Sequence, residues 1–400
     1  MAKKNGTNGK AGSSSNGHID ISSMFSDPFN VPTVEFANRQ LSSVHPALIV
    51  AEIGLNHCGQ VDRALRLIEA AAEAGADAVK FQKRDPRQLL TSEAYNQPYF
   101  NSGNSFGLTY GEHREALEFD IEVYKDLRAA ASELGVQFFA SVWDINSLED
   151  MIALNIPAIK IPSPDLTDEP LLTVAAQSGI PIFISTGMSK IEEIDRSVEL
   201  LTKYNAPFVL FHCISIYPTP ADQARLATIR HFSSRYKVPV GYSGHEMEPT
   251  IAVAARCLGA CVIEKHFTMD RSWKGGDQAI SLLPQELARI TEDVRAIEKG
   301  LFDVRNGYVP GELQTRKKLA KSIIARRYIA AGEILTPDLI DCKSPGGGLS
   351  PQNIHRLMGR RVKWEISPEQ YILESHLEES ADEQGQAPFI SNGDEDLLEQ

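Results

Sequence analysis

The feature that most constrains the fold is an alternation. From about residue 46 to 300, eight short apolar runs alternate with helix-like stretches. The runs are 47–53, 78–82, 136–140, 158–162, 181–185, 207–213, 238–243 and 261–266. Between them, 61–74 places Leu65, Ile68 and Ala72 on one helical face, and 122–134 and 191–201 are similarly amphipathic. The runs are apolar throughout rather than every second residue, as strands covered on both faces must be. Eight such units predict an α/β fold, a closed (β/α)8 TIM barrel, within residues 29–301. An open doubly wound sheet is the alternative, but no G-x-G-x-x-G follows the first run.

The flanks differ in composition. Residues 1–28 are rich in Gly, Ser and Asn and are expected to form a flexible leader. Residues 302–316 are expected to be a linker. Residues 317–379 carry closely spaced turn signals and brief β-like runs, which predict a small compact domain. Its glycines 346–348 are not followed by Lys-Ser/Thr at P-loop spacing and are expected to be a plain loop. Eight acids and no Lys or Arg fall in 378–400, so 380–400 is expected to be a disordered acidic tail. They account for most of the net charge of −13, and the rest of the chain carries −5. No basic footprint for a nucleic acid is present. No apolar run reaches membrane-spanning length, and the N-terminus lacks the hydrophobic segment of a signal peptide. Five cysteines without a CxxC fit free thiols in a reducing compartment, so a cytoplasmic location is expected.

Polar residues interrupt the strands where a barrel core should be apolar. Residues i and i+2 of a strand face the same side. Lys80/Gln82, Ser243/His245 and Glu264/His266 end three strands at that spacing, and Glu52, Ser141, Lys160 with Ser163, and His212 with Ser215 stand at other strand ends. All fall at C-terminal ends, the face on which barrel enzymes carry their chemistry. A lysine inside a barrel persists only beside an anion. Two lysines and several hydroxyls at one mouth describe a receptor for a phosphate or carboxylate. Lys80 paired with Glu52 or Glu264 as internal scaffolding is the competing reading; recurrence at the same end, strand after strand, favours the receptor.

His245 and His266 lie 21 residues apart, each at the tail of an apolar run, with a helix-sized stretch of small residues between them. That is the spacing of adjacent parallel strands joined by a crossover helix, which brings both imidazoles to the same rim. Paired histidines at neighbouring strand tips suit a divalent metal. His212 reads as structural or as a support to the site, and His57 as a shaper of the first loop.

Several motifs, in order, then point to a family. Ala51-Glu-Ile-Gly-Leu-Asn-His-Cys-Gly, Gly75-Ala-Asp-Ala-Val-Lys-Phe-Gln-Lys, Ser185-Thr-Gly-Met, Tyr217-Pro-Thr-Pro, Gly241-Tyr-Ser-Gly-His and Glu264-Lys-His-Phe-Thr resemble the sialic acid (N-acetylneuraminate) synthase family over roughly residues 45–378. The small domain resembles that family's antifreeze-like (SAF) domain. The resemblance implies a C–C bond-forming transferase that condenses phosphoenolpyruvate with N-acetylmannosamine or its 6-phosphate and releases phosphate. It implies Mn²⁺ or Mg²⁺ on His245 and His266, to polarise the sugar aldehyde. Lys80, Ser141, Lys160, Ser163, Ser215 and Ser243 match positions that bind phosphoenolpyruvate; Gln82, Tyr217 and Asp277 match sugar contacts. Glu52 would lie near the metal and enol, and Asp165 would contact the sugar and take part in proton transfer. A domain-swapped homodimer is also implied.

Departures within the resemblance discriminate between branches. Pro162-Ser-Pro-Asp165, Ser141 and Ser215 stand where many bacterial members have Gly-Ser-Gly-Glu, Thr and Asn. With Thr109-Tyr-Gly-Glu-His-Arg and Trp273-Lys-Gly-Gly-Asp277, they resemble the animal-type branch, which makes the 9-phosphate from a 6-phosphorylated sugar. Lys343-Ser344 replaces the expected arginine of an Arg-Pro-Gly loop. Two alternatives stay open: another phosphoenolpyruvate–aldose condensation on the same barrel, and a non-catalytic sugar-binding protein.

Overall fold

A computed structural model describes residues 32–100, 103–301, 307–309 and 311–378. The expected leader, the acidic tail and much of the expected linker lie outside the described residues. The chain divides into two compact units, the first ending at Phe302 and the second beginning at Asp303.

The first unit opens with a hairpin, β1 (Val34–Phe36) and β2 (Arg39–Leu41). Eight parallel strands follow: β3 (Leu48–Gly54), β4 (Ala78–Lys83), β5 (Gln137–Val142), β6 (Ile159–Ile161), β7 (Ile182–Ser185), β8 (Phe208–Cys213), β9 (Val240–Gly244) and β10 (Val262–His266). Each pairs with its sequence neighbours, and β10 pairs back onto β3 to close the cylinder. All seven residues of β3 are buried, Glu52 among them, as a strand covered on both faces demands. The helices cover the outside by periodicity. Val61–Glu73, for example, buries Ala64, Leu67, Ile68 and Ala71, one stripe at helical spacing.

The barrel interior changes character along its axis. Phe139, Phe183 and Phe211 fill the lower part, with Phe183 5.6 Å from Phe139 and 5.4 Å from Phe211 between ring centroids. Phe36 of the hairpin is fully buried against them, stacked 5.5 Å from Phe183 and edge-on 5.8 Å from Phe139. The hairpin therefore stoppers the lower end. Gly241 of β9 makes room for this layer, because a Cβ there would sit 2.8 Å from the Phe211 ring. Two residues further along the same strands, the interior becomes polar: Ser141 above Phe139, Ser185 above Phe183, Ser243 above Gly241. The i, i+2 rule thus converts one apolar layer directly into a polar one.

A long connection, residues 84–120, follows β4 and carries three short helices, Pro86–Leu89, Ser92–Tyr95 and Tyr110–Glu115. The second unit is small. β11 (Ser322–Ala325) and β12 (Ile340–Lys343) pair antiparallel over a core that includes Ile323, Leu339, Val362 and Ile372. A helix, Glu312–Leu319, begins inside the stretch expected to be linker. Lys343 is tied to Glu369 at 2.6 Å within this unit, and Ser344 donates to the Leu319 carbonyl.

Candidate active site

The polar end of the barrel holds a cavity of about 400 Å³. Its floor is a charge cluster buried from all sides. Lys80 Nζ lies 2.8 Å from Glu52 and 3.5 Å from Glu264, and donates to Ser141 Oγ at 2.7 Å. Lys160 Nζ lies 3.2 Å from both carboxylate oxygens of Glu264, donates to Ser185 Oγ at 2.7 Å, and sits 4.1 Å above the Phe211 ring. Burial opposes a charge on Lys80, but Glu264 and Glu52 carry its pKa above the ordinary lysine value. Burial and the neighbouring Lys80 draw Lys160 down despite Glu264. Glu264 is also opposed by burial, yet Lys160 and Lys80 pull it down to about 2. The scaffolding pairing of Lys80 is therefore realised, with both expected partners at once.

That pairing leaves the hydroxyls available. Ser141 and Ser185 accept from the lysines, so their own O–H groups remain to donate into the cavity. Ser243 Oγ donates to Glu264 at 3.0 Å. Ser163 accepts from the Gly187 N–H at 3.0 Å, and Ser215 Oγ is buried with no hydrogen-bond partner. Gly187 explains why these two can crowd one backbone: a Cβ there would lie 2.2 Å from Ser215 Oγ and 2.7 Å from Ser163 Oγ.

Beside the hydroxyls stand the imidazoles, their ring centroids 5.4 Å apart. His245 Nδ1 bonds the Ile214 carbonyl at 2.8 Å. A carbonyl only accepts, so Nδ1 carries the proton and Nε2 keeps its lone pair, the tautomer a metal requires. His266 Nδ1 is buried without a partner. Burial lowers the pKa of both rings, and neutral rings lose no proton on metal binding. The pair fits two positions around a divalent ion. Among the described residues no cluster of three His, Cys, Asp or Glu side chains suits a metal, so further ligands would come from elsewhere. The Tyr217 ring packs 4.1 Å from His245 and also lines the cavity.

Of the thirteen residues expected to form a site, twelve line this one cavity. The exception is Asp165. It is buried next to the lining Pro164 but is not itself among the lining side chains, and its Oδ2 has no partner. Burial, then Asp168, raises its pKa from 3.8 to about 7. His212 also departs from the strand-end pattern: its Nε2 bonds the Ala224 carbonyl at 2.7 Å and its ring packs beside Tyr242, outside the cavity. His57 Nδ1 accepts from Gly59 N–H, shaping the first loop as expected.

Sequence reasoning missed other groups here. Ser185 stood inside a quoted motif but was not assigned to the site. Arg84 is fully buried, faces Trp143 at 4.6 Å, lies 3.5 Å from Glu118 and hydrogen-bonds Gln82 Oε1. Gln82 in turn donates to Glu52 at 2.9 Å, which couples the rim to the charged floor. Arg84 directly follows a strand end, a signal that the i, i+2 rule does not select.

Known proteins are similar to this chain in sequence and fold. Residues 67–305 match the NeuB family and residues 320–378 the SAF domain. The N-acetylneuraminate-9-phosphate synthase of Mus musculus is 38% identical over 85% of this chain and 95% of its own length. That of Homo sapiens is 37% identical over 84% and 94%. A crystal structure of N-acetylneuraminic acid (sialic acid) synthetase from Leptospira borgpetersenii serovar Hardjo-bovis is 31% identical, with a TM-score of 0.63, over 71% of this chain and 95% of that one.

Proposed function

The chain belongs to the NeuB family of phosphoenolpyruvate-dependent, sialic-acid-type synthases, C–C bond-forming transferases with a C-terminal SAF domain, and we propose that its sugar substrate is the 6-phosphate of an N-acylmannosamine. Phosphoenolpyruvate C3 would attack the aldehyde carbon of the open-chain sugar. Water would then add at C2, and inorganic phosphate would leave by C–O cleavage, giving a nonulosonic acid 9-phosphate. The observation that carries the phosphoenolpyruvate half of this reading is the floor of the cavity, where carboxylates aim two lysines at serine hydroxyls that line it.

In this reading Lys80 and Lys160 act largely through Ser141 and Ser185. Each lysine polarises a hydroxyl that donates to the phosphate or carboxylate of phosphoenolpyruvate. Ser163 and Ser215 complete the anion cradle, and Ser243 would join it by turning its O–H from Glu264 to the anion. Gln82, Tyr217 and Asp277 orient the sugar, with its reacting carbon near His245 and His266. His245 and His266 would hold a divalent ion, Mn²⁺ or Mg²⁺, which would supply Lewis-acid polarisation of the aldehyde oxygen. Glu52, paired with Lys80 and accepting from Gln82, would face the enol and help to stabilise positive charge developing at C2. Asp165 holds a proton up to about pH 7 and is assigned to proton transfer. A swapped homodimer and a cytoplasmic location accompany the proposal; no helix among the described residues is long and apolar enough to cross a membrane.

The phosphorylated sugar is preferred to the free one because the two animal synthases above are named for the 9-phosphate product. The test is direct. Purified protein is incubated with phosphoenolpyruvate, a divalent ion and either sugar, and the product is identified by mass. Phosphate release with the 6-phosphate, and a product heavier by one phosphoryl group, is expected. Turnover of the free sugar alone would overturn the assignment.

A further inference from the structure

A second group of cations stands at the rim of the cavity: Arg114 in its lining, and Lys274 exposed just outside it. Two loops build it, residues 84–120 after β4 and residues 267–283 after β10, and both strands flank β3. The loops touch directly: Gly275 N–H donates to Asn104 Oδ1 at 3.3 Å, and Lys274 Nζ lies 4.5 Å over the Phe106 ring. Phe106, His113 and Arg114 line the cavity on this side.

The charges there do not balance. Arg84 is answered by Glu118, and Glu115 is taken by Arg87 at 3.0 Å. Among the described residues, Arg114 and Lys274 have no carboxylate within ion-pair distance. The Arg114 guanidinium meets only the Tyr110 hydroxyl and the face of the Tyr110 ring. His113 is buried between them and accepts the Phe106 N–H on Nδ1 at 3.1 Å. Its neutral ring therefore carries its hydrogen on Nε2, a donor. Burial and then the fields of Arg114, Arg84 and Lys274 lower His113 to about 4. Asp277 is the carboxylate lining the same side of the cavity.

We propose that Arg114 and Lys274, with the Nε2–H of His113, form the subsite for the terminal phosphate of the sugar and set the choice between phosphorylated and free substrate. This rests on the reading of the barrel as a synthase for a 6-phosphorylated sugar. A dianion suits two unmatched cations and one neutral donor, and a forked guanidinium beside a mobile ammonium is a common way to hold it. An uncharged hydroxymethyl group in the same place would leave those donors unpaired.

The experiment compares kcat/KM for the two sugars in the full-length wild type, Arg114→Gln and Lys274→Met. The expected result is a wild-type preference for the 6-phosphate that falls about 10- to 100-fold in Arg114→Gln, less in Lys274→Met, and is partly restored by Arg114→Lys. The loss should lie in the sugar's KM, with the KM for phosphoenolpyruvate holding near its wild-type value. A wild type that prefers the phosphorylated sugar, with the same preference in both variants, overturns this subsite and leaves the synthase reading standing. A wild type that uses only the free sugar overturns both. Lys274 is exposed, so its variant gives an answer even if Arg114→Gln fails to fold.

Discussion

Lys160 on β6 and Glu264 on β10 stand four strands apart in either direction around the cylinder, yet the ammonium is 3.2 Å from both carboxylate oxygens. The pair spans the barrel across its diameter. Removing one partner of a buried pair strands the other charge, at about 3–5 kcal/mol. Lys160→Met should cost toward the lower end of that range in chemical denaturation, because Lys80 still faces Glu264. The double variant Lys160→Met/Glu264→Gln should regain part of the loss, since no lone charge remains. Additive effects of the two changes would argue against the coupling.

His245 tests the metal position. With Nδ1 committed to the Ile214 carbonyl, loss of the ring removes one ligand and leaves the other. His245→Ala should lower turnover by about 100-fold or more, since even outer partners of metal ligands count for 10- to 100-fold. Calorimetric titration with Mn²⁺ should weaken in parallel. Wild-type Mn²⁺ affinity in the variant would remove His245 from the assignment.

Gly187 tests the anion cradle without touching a charged group. In Gly187→Ala the new methyl would meet Ser215 Oγ at 2.2 Å and Ser163 Oγ at 2.7 Å, and both hydroxyls must turn away. Turning the two serines is a local change that costs the Gly187 N–H its acceptor and takes two donors from the cavity. The KM for phosphoenolpyruvate should rise about tenfold or more, with little change in melting temperature. An unaltered KM would show that these serines do not hold the anion.

Asp165 gives a pH signature. Its folded pKa of about 7 lies above the ordinary 3.8, so between about pH 4 and 7 the folded chain keeps a proton that the unfolded chain has lost. Stability from this group is full at the acid end and declines as pH rises through that window. Glu118, raised to about 7 chiefly by burial, acts in the same direction. Asp165→Asn should therefore flatten part of the fall in melting temperature between pH 4.5 and 7.5, not all of it. Parallel curves for the two proteins would show that the carboxyl is ionised in the fold.

The barrel was legible because parallel strands covered on both faces leave continuous apolar runs, and the site because polar residues broke those runs at i, i+2 spacing near one end. Lys80, Gln82, Ser243, His245 and His266 were readable in this way. The hairpin of β1 and β2 was not: three-residue strands carry too short a pattern. Nor was the Lys160–Glu264 contact, which depends on the barrel's width rather than on any local spacing. Two of the rim cations were illegible for a third reason. Arg84 and Arg114 sit in a connection without periodicity, where a charged residue reads as solvated until its neighbours are known. The character of the small domain came from resemblance; its brief runs alone indicated only a compact module.

Phe36 seals the floor of the tube, and that dictates traffic. In the proposed reaction both reactants and both products would share a single doorway, with Arg114 in its lining and Lys80 and Lys160 buried at its floor. A sugar already seated would block the route inward. In the proposed reaction phosphoenolpyruvate would therefore load first, and the larger acid would depart before the next round begins.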